Sequence, residues 1–358
     1  MLFIGLVFSL TYQFDVALLD GKDQLSVQRQ IHFGLAFALL ISLVIGLRHN
    51  VGTDYRTYVE YFERFASGTR TPNVEWGYAL LNRAVAWVGG ATWLVFLVSA
   101  LATNVIVLRN LMKRSPYLWL SVLILFGIGF FFRQTNQVRQ MVALALVFQA
   151  SYYIGLQKFL YFTFFVVLAG AFHTTAYLFF PFYWISRWYW PRWLLIVLLL
   201  ISMVAFVTPL GTFLVGRLLY AMTPATYSHY VHRVLTNTGY VDSGLRILGE
   251  SGLVLVLLAL LRGTKSYAGQ QRVCYNLAIF GFIGQALFAP FWALHRIPVY
   301  FLFFQSLFFP QLLDRNFSKQ DRLIVGCLIA VYFLFFAVYG VSRGTHGINP
   351  YSSVLFDL

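Results

Sequence analysis

Long apolar runs recur along the whole chain and constrain its fold more than any other feature. Of the 358 residues, 59% are hydrophobic and 11% are charged, whereas soluble domains carry about 25% charged residues. A helix needs roughly 20 apolar residues to cross a bilayer. The sequence therefore predicts an all-α, polytopic membrane protein that forms one integral membrane domain over residues 1–358. About 12 transmembrane segments, some of them short or re-entrant, are expected at 2–19, 32–48, 91–109, 116–132, 139–156, 158–172, 174–187, 192–210, 245–262, 272–291, 296–313 and 322–341.

The positions of the lysines predict how these segments are oriented. Positively charged residues favour the cytoplasmic connections of a membrane protein. All the lysines fall in every second connection between the apolar segments. In the remaining connections, arginine occurs without lysine. We therefore expect the arginine-only connections, including the long loops at 48–90 and 211–244, to be periplasmic, together with both termini. The residues expected on the cytoplasmic side are Lys22, Lys113, Lys158, Lys265 and Lys319.

The excess of positive charge limits the classes of ligand. The formal net charge is +14, but the chain has no soluble domain that could present a nucleic-acid site. Membrane lipid with an anionic headgroup, or a phosphorylated substrate, is therefore the expected partner. On the predicted periplasmic face arginine replaces lysine altogether, and arginine can bind phosphate through two parallel hydrogen bonds. The simpler alternative is that arginine is common throughout this chain.

Each of the two periplasmic loops is predicted to contain an amphipathic helix lying on the membrane surface. In residues 54–66, the apolar side chains fall on one helical face and the charged ones elsewhere. A second helix is expected at 223–235, where Thr223 and Pro224 are typical of a helix start. Asp54 occupies the N-cap position of the first helix. It either caps that helix or takes part in catalysis.

Two arginines are expected at the N-terminal ends of helices that begin on the outer face. Arg139 and Arg296 each begin an apolar run that leads from outside to inside, and a positive charge in the first turn opposes the helix dipole. An anion bound there would remove this conflict, and two such positions suit a diphosphate. Arg48 and Arg133 are further candidates for the same diphosphate. Alternatively, these arginines extend to lipid headgroups.

The apolar residues from 158 to 187 predict a short helical hairpin with His173 at its apex. A 15-residue helix is about 22 Å long, and the hydrocarbon core is about 30 Å thick. The apex should therefore stop below the outer surface. Ionisable residues at membrane depth are commonly functional, and histidine can act as a general base near neutral pH. The alternative is a structural histidine that donates to a carbonyl.

Sequence motifs of several other enzyme classes are absent. The chain contains no D-x-D motif for a metal-bound nucleotide sugar, no glycine-rich phosphate loop, no zinc-ligand spacing and no G-x-S-x-G motif. The sequence therefore predicts neither a metal nor another cofactor. It also lacks a clear internal repeat of the kind from which many transporters are built.

Five short motifs occur in the order typical of the EpsG family, namely LRHNVGTDYRTY, NQVRQMVALAL, AGAFHTTAYLFF, HRIPVYF and NPYSSVLF. From about residue 40 to its C-terminus the chain resembles this family, whose members are similar to Wzy-type polymerases of O-antigen and exopolysaccharide. The resemblance implies a GT-C-like helical fold. It also implies a metal-independent glycosyltransferase in the bacterial inner membrane, with its active site facing the periplasm.

The resemblance further implies a reaction and its partners. A growing glycan would be transferred from undecaprenyl diphosphate to an incoming undecaprenyl diphosphate-linked oligosaccharide repeat. A chain-length regulator is a further partner that the resemblance allows. The acceptor hydroxyl would need a base, for which His173 and Asp54 are the candidates.

The remaining predicted site residues would bind the substrate. Arg139 is expected to stabilise the diphosphate that leaves in the transition state. The full set of predicted diphosphate ligands is Arg48, Arg133, Arg139 and Arg296. Contacts with sugar are predicted for Tyr55, Glu75, His295 and Tyr351.

Other classes of protein also agree with the sequence. An O-antigen ligase would share the donor and differ in its acceptor. A polytopic acyltransferase would have its histidine and arginine at an inner opening, against the predicted topology. A lipid-linked oligosaccharide flippase should have a cationic central cavity, whereas the arginines of this chain are concentrated on one predicted face.

Overall fold

The computed structural model describes residues 24–69, 72–221, 244–260, 267–291 and 294–355. These residues form helices, turns and irregular segments, and an isolated β-bridge joins Arg48 and Ser353. The all-α prediction is therefore confirmed for the described residues. The α-helices are α1 (Gln24–Gly46), α2 (Tyr55–Ala66), α3 (Trp76–Trp87), α4 (Thr92–Arg114), α5 (Leu118–Gly127), α6 (Phe130–Arg133), α7 (Val138–Gly155), α8 (Phe159–Gly170), α9 (Phe182–Ile185), α10 (Arg192–Val207), α11 (Pro209–Ala221), α12 (Gly244–Leu260), α13 (Gly269–Phe288), α14 (Val299–Leu302), α15 (Gln305–Asn316) and α16 (Lys319–Ser342).

Three stretches of the described chain are long and apolar enough to cross a membrane: α4, Leu294–Asn316 (which includes α14 and α15) and α16. The bent pair of α10 and α11 adds a fourth if it counts as one span. In α16, Leu323, Leu328 and Leu334 are each at least 50% exposed, and an apolar outward face suits lipid. The protein is thus membrane-embedded. The predicted number of 12 crossings is not confirmed, and the predicted segment 2–19 lies outside the described residues.

Breaks in the helices shorten several predicted segments. The predicted segment 116–132 is interrupted at Gly129, whose φ of +73° favours glycine. α10 bends by 106° into α11, which begins at Pro209, because proline cannot donate the hydrogen bond that would continue the preceding helix. The predicted segment 174–187 is the 3-10 helix Thr174–Phe179 followed by the single turn α9. These breaks explain why few of the predicted segments have full span length.

α7 is the central helix of the bundle. It contacts α4, α8 and α13, and 13 of its 18 residues are buried and none is exposed. α1 and α4 are antiparallel, because Gly34 lies against Met112 near one end of the pair and Gly46 lies against Leu97 near the other. α4 and α7 run parallel, because Asn110 bonds to Gln149 and Arg114 bonds to Ser151 further along both helices. The end of α1 and the starts of α4 and α7 therefore lie at one end of the bundle.

The two ends of the bundle correspond to the two predicted sets of connections. We call them the lysine end, which contains Lys113, Lys158 and Lys319, and the site end, where α1 ends and α7 begins. Lys22 and Lys265 lie outside the described residues. The segregation of the described lysines at one end is a property of the structure. The side of the membrane that each end faces stays a prediction.

The amphipathic helix predicted at 54–66 is present as α2, but its apolar face packs against protein. Tyr58 and Phe62 are buried in a cluster with Phe96 of α4 and with residues of α3. Ala66, which was expected on the same face, is exposed. The apolar face of α2 therefore packs against protein, because the same apolar periodicity suits protein and lipid contacts alike. The position of the helix at the membrane surface stays a prediction. The second amphipathic helix, predicted at 223–235, lies outside the described residues.

The C-terminal segment crosses the site end and holds the turn after α1. The N–H of His49 donates to the carbonyl of Ser352 at 3.0 Å, and the N–H of Val354 donates to the carbonyl of Leu47 at 2.9 Å. Further along, the N–H of Gly52 donates to the carbonyl of Gly347. The first and last described parts of the chain therefore stabilise each other at this end.

Candidate active site

His173 lies at the turn of a helical hairpin at the site end. α8 has 12 residues and is about 18 Å long, and the 3-10 helix Thr174–Phe179 returns beside it. The ring of Tyr177 occupies the space next to Gly170, where a Cβ atom would lie 2.2 Å from the ring. This close approach folds the hairpin tightly. The side chain of His173 at its apex is 19% exposed.

Glu75, the residue before α3, lies against the apex of this hairpin. The N–H of Gly77 donates to the carbonyl of Ala171 at 2.8 Å, and a Cβ atom at position 77 would lie 2.8 Å from the same oxygen. Glycine at position 77 therefore allows the two segments to meet. As a result, Glu75 Oε1 lies 3.1 Å from His173 Nδ1 and accepts a hydrogen bond from the N–H of Thr174 at 3.3 Å.

Arg139 reaches the same carboxylate from α7. It is the second residue of that helix, and its Nη1 donates to Glu75 Oε2 in an ion pair. The guanidinium also lies over the ring of Tyr78, with its Cζ 5.9 Å from the ring centroid. The sequence predicts an anion at this helix start, and the anion in the structure is the side chain of Glu75. Arg139 Nε is buried and has no hydrogen-bond partner in the described parts of the chain.

The charges of the three side chains determine the protonation of Glu75. Burial alone would raise the pKa of the Glu75 carboxyl, but the hydrogen bond with His173 and the charge of Arg139 outweigh it and lower the pKa to about 2. Glu75 is therefore ionised at neutral pH. An ionised carboxylate only accepts hydrogen bonds, so a neutral His173 carries its hydrogen on Nδ1 and has the lone pair of Nε2 available.

Arg296 lies beside the start of α7. Its backbone carbonyl accepts a hydrogen bond of 2.8 Å from Gln140 Nε2, although 156 residues separate the two. The side chain of Arg296 is exposed. The hydroxyls of Thr175 and Tyr300 are 3.1 Å apart, which joins the hairpin apex to the same segment. The start of α7 and the 3-10 turn that ends at Arg296 therefore meet at the site end.

Arg48 is part of the framework of the site end. Its side chain is fully buried and donates to the carbonyls of Ile45, Val51 and Thr135 at 2.6 to 3.3 Å. The guanidinium also lies over the ring of Phe96, 3.8 Å from its centroid. The guanidinium is buried and its hydrogen bonds go to backbone carbonyls. We therefore assign Arg48 a structural role at this end. The diphosphate role predicted from the sequence is not carried forward.

Arg133 is partly exposed and lines a small cavity. Arg133, Arg246 and Gln285 border a cavity of about 20 Å³, which has room for a single water molecule. A diphosphate does not fit there. We therefore leave Arg133 out of the diphosphate site as well.

Asp54 and Tyr55 lie at the start of α2. Asp54 occupies the N-cap position, as predicted, but its side chain makes no capping hydrogen bond; its Oδ1 is 3.5 Å from Thr53 Oγ1. Tyr55 packs against Phe96, with 5.5 Å between the ring centroids. It also borders a surface cavity of about 360 Å³, which is lined by His49, Asn50, Tyr55, Arg56, Val59 and Glu60.

The other residues predicted to contact sugar lie in different places. His295 belongs to the 3-10 turn Leu294–Arg296 and is partly buried. Tyr351 is 46% exposed, and its hydroxyl donates to the carbonyl of Val44 at 2.7 Å. Glu75 was also predicted to bind sugar. The structure instead joins its carboxylate to Arg139 and His173.

The pairing of Glu75 with His173 could not be found by sequence reasoning alone. Glu75 is an isolated acid before Trp76 and Gly77, 98 residues from His173, and no spacing rule connects the two. The available signal was indirect, because Arg139 at a helix start called for an anion and Glu75 is one of few acids on that predicted face. Across the described ranges, no three His, Cys, Asp or Glu side chains lie close enough to hold a metal ion.

The fold and this centre define a class, a helical membrane protein with an arginine–glutamate–histidine group at one end of its bundle. The chain belongs to the EpsG family, because a model of that family matches residues 31–353, nearly the whole chain. Members of the family are Wzy-like polymerases, so the family points to a polysaccharide polymerase of the glycosyltransferase type. No curated protein and no solved structure matches the chain. The GT-C-like architecture therefore stays a prediction.

Proposed function

We propose that the protein polymerises oligosaccharide repeats carried on undecaprenyl diphosphate, at the periplasmic face of the bacterial inner membrane. The observation that carries this proposal is the contact of Glu75 with both His173 and Arg139. It brings an oriented base and a cation together at one end of a helical bundle. Membership of the EpsG family supports the same class of reaction.

The reaction is a glycosyl transfer. A hydroxyl oxygen of the acceptor repeat forms a bond to the anomeric carbon of the donor glycan, and the bond between that carbon and the diphosphate oxygen breaks. The proton of the hydroxyl passes to His173 Nε2, and the electron pair of the broken bond leaves on the diphosphate. Glu75 holds the imidazole in the required tautomer and stabilises the imidazolium that forms.

Arg296 and Arg139 are the proposed partners of the diphosphate. Negative charge grows on the leaving oxygen as the bond breaks, and one preorganised donor at such a position supplies about 3 to 4 kcal/mol. The side chain of Arg296 is exposed, and its backbone is tied to the residue after Arg139. Both guanidinium groups stay charged at any physiological pH. They would supply the positive charge in a metal-independent mechanism.

Arg139 would interact with two anions in turn, the carboxylate of Glu75 and the diphosphate of the substrate. Glu75 neutralises it in the resting enzyme, and Arg139 Nε is buried without a partner in the described residues. An arriving diphosphate would draw the guanidinium partly from Glu75. The carboxylate would then be left with His173 alone and could orient the imidazole without a competing cation. Binding of the donor would thus prepare the acceptor site.

The cavity beside Tyr55 is the proposed place for sugar units next to the reacting bond. Its volume of about 360 Å³ is within the range of small-molecule pockets, about 300 to 1,000 Å³. Tyr55 and His49 offer ring faces, and Arg56 and Glu60 offer hydrogen-bonding groups. Asp54 precedes Tyr55, which lines this cavity. We propose that Asp54 contacts the acceptor while His173 acts as the base.

Three rival functions differ from the proposal in testable ways. A ligase would use the same centre with a lipid A core as acceptor. A polytopic acyltransferase would need its histidine and arginine on the cytoplasmic side, whereas these residues lie opposite Lys113 and Lys158. A flippase catalyses no chemical step and would not require an oriented base.

A chain-length regulator as partner stays an expectation.

The test of the proposed function is an assay with the purified protein. The protein, in proteoliposomes, is incubated with its native undecaprenyl diphosphate-linked repeat, and the products are separated on a gel. A ladder of polymer supports the proposal. A lipid A core is added in a parallel reaction, and transfer to that core without a ladder would instead identify a ligase.

The proposed orientation is tested separately by labelling single cysteines in intact cells. In a background with Cys274 and Cys327 replaced, Ser67→Cys in the turn after α2 should react with a membrane-impermeant reagent. Lys158→Cys at the lysine end should react only after the membrane is made permeable. Labelling of the second variant in intact cells would reverse the orientation.

A further inference from the structure

A further cavity lies at the opposite end of the protein from the candidate active site. It has a volume of about 310 Å³ and is bordered by the end of α7, by the segment after α9 and by the start of α13. Gly155 on its rim is 16 residues after Arg139 on α7, which corresponds to about 24 Å along the helix. The cavity therefore belongs to the lysine end, separate from Glu75 and His173.

Two arginines give this cavity its charge. Arg187 and Arg272 both line it, and Arg272 Nη1 donates to the backbone carbonyl of Arg187 at 3.5 Å. Arg272 Nε donates to the carbonyl of Tyr267 at 3.0 Å. The Cζ of Arg187 lies 5.2 Å from the centroid of the Tyr183 ring. Packing and backbone hydrogen bonds therefore hold both arginines at the border of the same cavity.

Neither arginine has an acidic partner among the described residues. In this they differ from Arg139, Arg246 and Arg322, each of which pairs with a carboxylate. The residues before the cavity in sequence, 261–266, contain no aspartate or glutamate either. Two like charges that border one cavity without a counter-charge are unfavourable unless an anion joins them.

The start of α13 also favours an anion in this cavity. Gly269 begins this helix of 20 residues, and its first turn contains no acidic residue. Arg272 lies in that first turn, where a positive charge opposes the helix dipole. An anion in the cavity would meet both the guanidinium groups and the backbone donors of the helix start. The guanidinium fork suits the oxygens of a phosphate.

The aromatic residues at the mouth of the cavity indicate where that phosphate comes from. Trp184 is 50% exposed and Trp188 is 58% exposed, and both line the cavity. Exposed tryptophan is typical of the headgroup layer of a membrane. A cavity at that depth opens towards phospholipid headgroups, and anionic lipids are attracted to basic pockets there.

We propose that Arg187 and Arg272 bind the phosphate group of an anionic phospholipid in this cavity. The lipid would supply the missing counter-charge and join α7, α9 and α13 at the lysine end. This inference does not depend on the proposed reaction, because none of these residues belongs to the candidate active site.

The experiment measures lipid binding by native mass spectrometry. The purified protein is stripped of lipid in detergent and titrated with phosphatidylglycerol, and in parallel with zwitterionic phosphatidylcholine. We expect one phosphatidylglycerol to bind ahead of all others, and Arg187→Gln to weaken that binding by about tenfold or more. The guanidinium of Arg187 makes no hydrogen bond within the described residues, so its removal should leave the fold intact.

The control variant is Arg322→Gln, which removes an arginine at the same end that already pairs with Asp314 at 3.4 Å. It should retain the first phosphatidylglycerol. Equal binding by the wild type and Arg187→Gln would overturn the proposal. Soluble glycerol phosphate is added in a further titration. If it displaces the lipid at comparable concentration, the cavity takes a free phosphate ester and the assignment to a phospholipid is wrong.

Discussion

His173 Nδ1 lies 3.1 Å from Glu75 Oε1, although 98 residues separate the two side chains in the chain. The contact turns a histidine at a hairpin apex into an oriented base, because the ionised carboxylate fixes which ring nitrogen carries the hydrogen. Arg139 binds the other oxygen of the same carboxylate. The chemistry proposed for this protein depends on this shared carboxylate.

Replacing Glu75 by glutamine should reduce turnover far more than substrate binding. Glu75→Gln keeps the size of the side chain but removes the charge that stabilises the imidazolium. We expect kcat for polymer formation to fall about a hundredfold or more, with a small change in KM. The control is Glu63→Gln on the exposed face of α2, which should be as active as the wild type. Similar rates for both variants would remove Glu75 from the mechanism.

The depressed pKa of Glu75 predicts a pH dependence of stability. The carboxyl has a pKa of about 2 in the folded protein against 4.5 for its ordinary value. A lowered folded pKa contributes stability above pH 4.5, and this contribution is lost as the pH falls towards 2. The wild type should therefore melt at a higher temperature than Glu75→Gln at pH 6, and the difference should shrink towards pH 3. Melting curves in detergent measure it; a constant difference would contradict the ionised state of Glu75.

Gly77 is predicted to be essential for the contact between the two segments of the centre. In Gly77→Ala the new Cβ would lie 2.8 Å from the carbonyl of Ala171, so α3 must move away from the hairpin and take Glu75 with it. We expect polymer formation to drop at least tenfold. The matched control is Gly252→Ala in α12, where nothing lies within 4 Å of the added atom. An active Gly77→Ala variant would contradict this prediction, because it would show that α3 and the hairpin can separate without loss of the centre.

Arg48 and Arg296 should respond in opposite ways to the same substitution. Arg48→Gln leaves buried carbonyls without their charged donor, which should cost about 3 kcal/mol or more of folding stability. The yield and melting temperature of the purified protein should fall. Arg296→Gln changes an exposed side chain and should melt like the wild type, but its binding of undecaprenyl diphosphate should weaken. A stable Arg48→Gln variant with weak diphosphate binding would return Arg48 to the diphosphate site.

The positions of individual helices could be predicted from the sequence more fully than the surfaces against which they pack. Apolar periodicity predicted a helix at 54–66, where the structure has Tyr55–Ala66, and a segment at 139–156, where it has Val138–Gly155. The same pattern could not show that Tyr58 packs against protein and not lipid. The 106° bend between α10 and α11 also depends on tertiary packing around Pro209 beyond what its sequence position indicates.

The candidate site was predicted in part for a related reason. His173 was identified because a lone histidine at the apex of a short apolar hairpin is conspicuous in the sequence. The conflict between Arg139 and its helix dipole likewise predicted an anion. The sequence could not identify that anion as Glu75, because the contact is made by long-range packing through Gly77. It also could not distinguish the buried Arg48 from the exposed Arg296.

The most direct test of the central claim compares His173→Ala with the double variant His173→Ala, Glu75→Gln. If the two side chains act as one base, His173→Ala should abolish the polymer ladder while undecaprenyl diphosphate binding persists, and the double variant should be no slower than the single one. The measurement is single-turnover transfer to a labelled acceptor repeat in proteoliposomes. A normal ladder from His173→Ala would show that the histidine is structural and would contradict the account, leaving Asp54 as the remaining candidate base.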